Sequence, residues 1–120
     1  MSNTAAPRIV LVDDNEMAAE LLSEFLMLSG LDVRVAYDGA QALAACETFQ
    51  PHTVVLDILL PDIDGYELAN RLRQQQRPAP RLIALSGLAR VRGDGRGDVF
   101  DDWIEKPADP DALLALLSQP

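Results

Sequence analysis

Apolar residues occur along this chain in short clusters, and the spacing within the clusters alternates between two kinds. RIVLV (8–12) is a compact apolar run of strand length. In NEMAAELLSEFLMLSG (15–30) apolar residues recur three and four apart and Gly30 closes the segment, as a helix and its stop require. DVRVAYD (32–38) alternates like a strand, and AQALAACETF (40–49) returns to helical spacing between Gly39 and Pro51. HTVVLD (52–57) is an apolar strand ending on an acid, and LLPDIDG (59–65) is a turn-rich loop. YELANRLRQQ (66–75) is helical until PAP (78–80) breaks it, and RLIALSG (81–87) is a fourth strand ending on a serine. LARVRGDGRGDVFDD (88–102) has room for a helix but contains Gly93, Gly95 and Gly97. Each interior glycine costs about 1 kcal/mol of helix relative to alanine, so a short or frayed helix, or a loop, is expected. DWIEKP (102–107) reads as a fifth strand, and ADPDALLALLSQ (108–119) as a last helix with Asp109 at its N-cap and Pro110 in its first position.

Strand and helix thus alternate five times. Short apolar strands separated by helices imply a parallel sheet covered on both faces and joined by right-handed crossovers. No interdomain linker, repeat or low-complexity stretch interrupts the rhythm. The expected organisation is a short disordered lead (1–7) and one domain (8–119).

Composition narrows the function classes. Nineteen acids against ten bases give a formal charge of -9, which disfavours direct binding to nucleic acid or to an anionic membrane but not to a basic protein partner. A single cysteine, Cys46, excludes an internal disulfide and a cysteine-built zinc site, and it falls in an alanine-rich helical pattern as a small core residue. One histidine, His52, cannot form a histidine metal cluster. No apolar run approaches the 18 or so residues of a membrane span, and MSNTAAP carries neither a basic nor an apolar targeting region. The expected compartment is the reducing cytoplasm.

Chemistry concentrates at the strand ends. Asp13 and Asp14 follow the first strand, Asp57 ends the third, Ser86 the fourth and Lys106 the fifth. Ligands of open parallel α/β sheets bind beyond the carboxyl ends of the strands, so all five residues are expected on one rim. Adjacent carboxylates repel, and a cation offsets that repulsion. Hard carboxylate oxygens suit Mg²⁺, with Mn²⁺ as an alternative, while the lysine and hydroxyl suit an anion. Asp57 is then a candidate nucleophile toward phosphorus, with Lys106 and the cation stabilising charge on the transferring oxygens.

These residues closely resemble the receiver domain of bacterial two-component response regulators, over residues 8 to 118. The shared motifs are the pair Asp13-Asp14, Asp57 within DILLPDIDG with Pro61 and Gly65, Ser86, and Lys106-Pro107. The resemblance implies a flavodoxin-like (βα)₅ doubly wound fold with strand order 2-1-3-4-5. It also implies Mg²⁺-dependent phosphotransfer to Asp57 from a sensor histidine kinase or a histidine phosphotransfer protein. Further implications are a cation ligand from the backbone carbonyl of Leu59, a cis Lys106–Pro107 peptide, and switch roles for Ser86 and Trp103. Leu59 and Leu88 occupy the two positions that tune dephosphorylation in the family.

One segment departs from the pattern. Between Ser86 and Lys106 the chain is slightly short for the family and reads RGDGRGD at its middle, so the fourth helix is expected to be shortened or irregular. That bears on the surface formed by the fourth helix, fifth strand and last helix, where receivers commonly form homodimers or dock downstream protein partners. The 120 residues include no helix-turn-helix or basic patch. Two functional classes stay open at this point: a phosphorylation-driven switch that catalyses its own aspartyl phosphorylation, and a constitutive interaction module with a silent site. A metal-dependent phosphohydrolase is disfavoured, because Ile58-Leu59 after Asp57 provides no second acid to act as general acid or base.

Overall fold

Asparagine or aspartate stands immediately before every helix of the described residues, and each uses its side chain as an N-cap. The computed structural model describes residues 6–87 and 99–118. Its elements are β1 (Arg8–Val12), α1 (Glu16–Leu28), β2 (Asp32–Ala36), α2 (Gly39–Phe49), β3 (Thr53–Asp57), α3 (Gly65–Gln75), β4 (Arg81–Ser86), β5 (Asp102–Glu105) and α4 (Pro110–Leu117). Asn15, Asp38, Asp64 and Asp109 accept from amides in the first turns of α1 to α4 respectively, satisfying donors that a helix cannot satisfy itself. Gly30, at φ +97°, ends α1 in a conformation that favours glycine.

The strands form one parallel sheet in the order β2-β1-β3-β4-β5. This is the doubly wound, flavodoxin-like arrangement expected from the sequence. Alternate residues of each central strand enter opposite cores. Val10, Val12, Val54, Leu56 and Leu82 pack with Ala42 and Cys46 of α2 and Leu68 and Leu72 of α3. On the other face Ile9, Leu11, Val55, Ile83 and Leu85 pack with Leu26 of α1 and with Leu113 and Leu117 of α4. Burial on both faces explains why the central strands read as unbroken apolar runs.

Boundaries differ from the sequence pattern by a residue or two. Gly39 and Gly65 are the first residues of α2 and α3, not their approaches. Tyr37 and Asp38 leave β2, because the Tyr37 amide donates to the Gln41 side chain and Asp38 caps α2. β5 stops at Glu105, so Lys106 lies one residue beyond it; the Lys106 amide still donates to the Ser86 carbonyl at 2.7 Å, and Pro107 has no amide to continue the ladder. Pro7, assigned by the sequence to the disordered lead, joins the fold through its carbonyl, which accepts from the Asp32 amide. The irregular fourth helix expected within 88–102 falls mainly on residues 88–98, outside the described residues.

Candidate functional site

Strand order decides which side chains meet. β3 lies between β1 and β4, so its last residue, Asp57, has the β1 end with Asp13 and Asp14 on one side and the β4 end with Ser86 on the other. Carboxylate oxygens of Asp13, Asp14 and Asp57 all lie within 4.8 Å of one another. Asp13, Asp57 and Ser86 are buried, and Asp14 is exposed. Lys106 reaches in from beyond β5 and sets its Nζ 2.6 Å from Asp57 Oδ2 and 3.6 Å from Asp13 Oδ2.

The two buried carboxylates divide their oxygens in the same way. Asp13 Oδ1 accepts from the Asn15 amide at 3.0 Å, and Asp57 Oδ1 accepts from the Leu59 amide at 3.2 Å. Each loop thus holds one oxygen by its own backbone, leaving Oδ2 toward the lysine. Burial pushes the Asp13 pKa up; the Asn15 amide and Lys106 oppose this, and the charges of Asp57 and Asp14 add to it. Burial alone would pull Lys106 down, but its hydrogen bond to Asp57 and the charges of Asp57 and Asp13 lift the ammonium above its ordinary value. Three oxygen donors of this hardness, balanced by one ammonium, suit a small divalent cation better than a soft metal.

Gly65 shapes the acceptor loop. A Cβ there would lie 2.6 Å from Ile58 Cα and 2.9 Å from the carbonyl oxygens of Asp57 and Ile58, so only glycine permits this approach. The Gly65 amide donates to the Ile58 carbonyl at 2.9 Å, and Leu59 and Asp64 pair as an antiparallel bridge, closing the loop at its base.

The other residues singled out in the sequence stand around this group. The Lys106–Pro107 peptide is cis, as is Arg77–Pro78. The Leu59 side chain is 75 % exposed. Trp103 stands beside Ala84 in the sheet and is partly buried, with ring centroids 5.8 Å from Phe100 and 6.3 Å from Tyr66. Leu88 lies outside the described residues. Sequence reasoning missed Asp62, whose carboxylate accepts from the amides of Gly39 (2.8 Å) and Ala40 (3.1 Å) at the start of α2. It also missed the Tyr66–Phe100–Trp103 ring cluster. Beside Lys106, a groove of about 700 Å³ runs between α1 and the start of α4, lined by Ala18, Leu22, Phe25, Pro107 and Pro110 among others. Leu21, which also lines this groove, is exposed, and Met17 and Leu28 leave further apolar surface exposed on α1.

Fold and site together define a receiver domain, and comparison with known proteins agrees. Residues 9–118 match the family described as response regulator receiver domain, and the chain belongs to that family. It is the receiver domain of a two-component response regulator. The sequence is 40 % identical over 106 residues to the alkaline phosphatase synthesis transcriptional regulatory protein PhoP of Bacillus subtilis, covering 86 % of this chain and 43 % of that protein. It is 34 % identical over 112 residues to the DNA-binding dual master transcriptional regulator RpaA of Synechocystis sp., covering 91 % of this chain and 46 % of the relative. The chain therefore spans less than half the length of these relatives. Among solved structures, a receiver domain from Methylobacillus flagellatus superposes with a TM-score of 0.85 at 30 % identity, covering 93 % of this chain and 96 % of that one. The response regulator protein TrrA from Thermotoga maritima, in complex with Mg(2+)-BeF, gives 0.82 at 30 % identity, covering 92 % and 96 %. No helix among the described residues is long and apolar enough to cross a membrane.

Proposed function

We propose that this domain is a phosphorylation-driven switch in which Asp57 accepts a phosphoryl group from the phosphohistidine of a sensor histidine kinase or a histidine phosphotransfer protein. The observation that carries this reading is the position of Asp57, within 4.8 Å of two further carboxylates and 2.6 Å from an ammonium. Asp13, Asp14, Asp57 and the backbone carbonyl of Leu59 would hold Mg²⁺, and the Mg²⁺ in the Thermotoga relative supports that choice of ion. Bound there, the cation offsets carboxylate repulsion and withdraws charge from the transferring phosphoryl oxygens.

An Asp57 carboxylate oxygen attacks phosphorus in line as the phosphorus–nitrogen bond to the donor imidazole breaks, and that bond's electron pair stays with the nitrogen. Lys106 supplies fixed positive charge to the phosphoryl oxygens without reorganisation, its ammonium already held by Asp57 and Asp13. Ser86 then donates its hydroxyl to a phosphoryl oxygen and is drawn toward it. Trp103, two strand positions before Glu105, repacks against Tyr66 and Phe100 and carries the change to the surface. Leu59 and Leu88 offer attacking water no hydrogen bond, so the acyl phosphate persists for a receiver. The apolar groove beside Lys106 and the exposed leucines of α1 favour a protein phosphodonor that docks next to the site. On this reading the domain works in the cytoplasm, answers to a downstream protein partner or a second copy of itself, and contacts neither nucleic acid nor membrane directly.

Incubation with acetyl phosphate and Mg²⁺ should add one phosphoryl group, and borohydride trapping should map it to Asp57. Asp57→Asn should abolish the addition. Labelling of Asp13 or Asp14 with Asp57 untouched would overturn the assignment, and no labelling at all would favour a constitutive interaction module.

A further inference from the structure

Two carboxylates serve the first turn of α2, and only one of them belongs to it. Asp38, the N-cap, accepts from the Gln41 amide at 2.8 Å. Asp62, more than twenty residues further along the chain, takes the two preceding amides, Gly39 at 2.8 Å and Ala40 at 3.1 Å. These bonds join an anion to donors at the positive end of a helix. The Gly39 amide in particular holds the Asp62 carboxyl below its ordinary pKa. The contact is close on the packing side as well: a Cβ at Gly39 would fall 2.1 Å from Ile63 Cγ2, so the loop tip rests where a side chain would otherwise stand.

We infer that Asp62 is a positioning residue for the cation site, tying the acceptor loop, residues 58–64, to the corner of the fold that also fixes Asp13. The base of that loop is closed by the Leu59–Asp64 bridge and the Gly65–Ile58 hydrogen bond. Asp62 anchors its tip, so Leu59 to Pro61 are held at both ends. At the other end of the connection, α2 begins three residues after Ala36, whose carbonyl accepts from the Asp13 amide at 3.0 Å. The loop bearing Asp57 and Leu59 and the strand end bearing Asp13 and Asp14 are thereby kept in register. Mg²⁺ tolerates little departure from near-ideal octahedral geometry, so ligands drawn from two loops need such a connection. This inference rests on the proposed phosphoacceptor reading.

The test compares Asp62→Ala and Asp62→Asn with Asp38→Ala. Asp38→Ala removes an equivalent carboxylate from the same helix turn but leaves the acceptor loop alone. Binding of Mg²⁺ alone is followed by amide shifts in NMR spectra, and hydrogen exchange of the Leu59 and Gly65 amides is measured without the ion. Asp62→Ala should weaken Mg²⁺ binding about tenfold, the lower end of what loss of an outer-shell partner costs. Asp62→Asn, keeping one acceptor, should lie between it and wild type, and Asp38→Ala should bind as wild type does. Exchange at Leu59 and Gly65 should quicken in Asp62→Ala and not in Asp38→Ala. Unchanged Mg²⁺ affinity in both Asp62 variants, or equal weakening in Asp38→Ala, would overturn the inference while leaving Asp57 as acceptor. A wild-type protein that shows no saturable Mg²⁺ response would overturn both readings.

Discussion

Burial and charge act against each other at Asp13, and the balance has a measurable sign. Its pKa is raised from 3.8 chiefly because burial removes water from the charged form. The folded chain therefore keeps this proton to higher pH than the unfolded chain does. The stability that proton contributes is fully present below 3.8 and is lost as pH rises through the folded value, so ionised Asp13 costs stability at neutral pH. Asp13→Asn removes the charge and keeps an oxygen for the Asn15 amide. In Mg²⁺-free buffer it should melt higher than wild type at neutral pH, and the two should converge in acid. A gap that stays constant in thermal melts across this range would assign the difference to packing and not to ionisation. The acids that form the site were legible because each ends an apolar run, where a parallel sheet exposes its functional rim. Asp62 was not, because its partners are 22 and 23 residues away and LLPDIDG looks locally like a turn with acids at its surface.

At the scale of elements, the three central strands were legible because burial on both faces gives continuous apolar runs, the edge strand β2 by its alternation, and the described helices because three-and-four spacing is closed by caps and stops. What the pattern could not fix was where each element yields to the site. Lys106 sits beyond β5 yet bonds Ser86 of the neighbouring strand, and Gly65 opens α3 while pressed against Ile58 at the other end of its own loop. The two glycines at helix starts should respond differently to alanine. At Gly65 the obstruction is backbone, Ile58 Cα at 2.6 Å with two carbonyl oxygens behind it, and relief requires moving the acceptor loop. At Gly39 the nearest atoms belong to side chains, Ile63 Cγ2 at 2.1 Å with Asp62 Oδ1 and Ile63 Cβ behind it, so relief needs a χ1 change of a β-branched residue but no backbone overlap. Gly65→Ala should lose about 1–3 kcal/mol, in the range of overpacked sites, and Gly39→Ala less. Urea midpoints at unchanged slope give the comparison directly. Equal losses would mean that Ile63 is as firmly held as the backbone beneath Gly65.

Across the whole molecule, the formal charge of -9 makes any added cation mildly favourable, so stabilisation by Mg²⁺ is not by itself proof of a site. A specific site adds a saturable term, because the unfolded chain does not hold Asp13, Asp14 and Asp57 within 4.8 Å of each other. At ten times its dissociation constant, an ion bound only to the folded state adds about 1.4 kcal/mol. For a domain of this size that corresponds to roughly 5 °C in melting temperature. Asp14 is the most informative residue to remove: it is exposed, so Asp14→Ala leaves both cores intact while taking away one ligand. It also relieves repulsion against Asp13, so without Mg²⁺ the variant should melt no lower than wild type. Melting curves at matched ionic strength, with Mg²⁺ replaced by a monovalent salt in the reference, separate the two effects. Wild type should rise with Mg²⁺ and level off, and Asp14→Ala should lose most of the rise. If the variant keeps the full increment, the stabilisation comes from the acidic surface at large, and these three carboxylates are not a cation site.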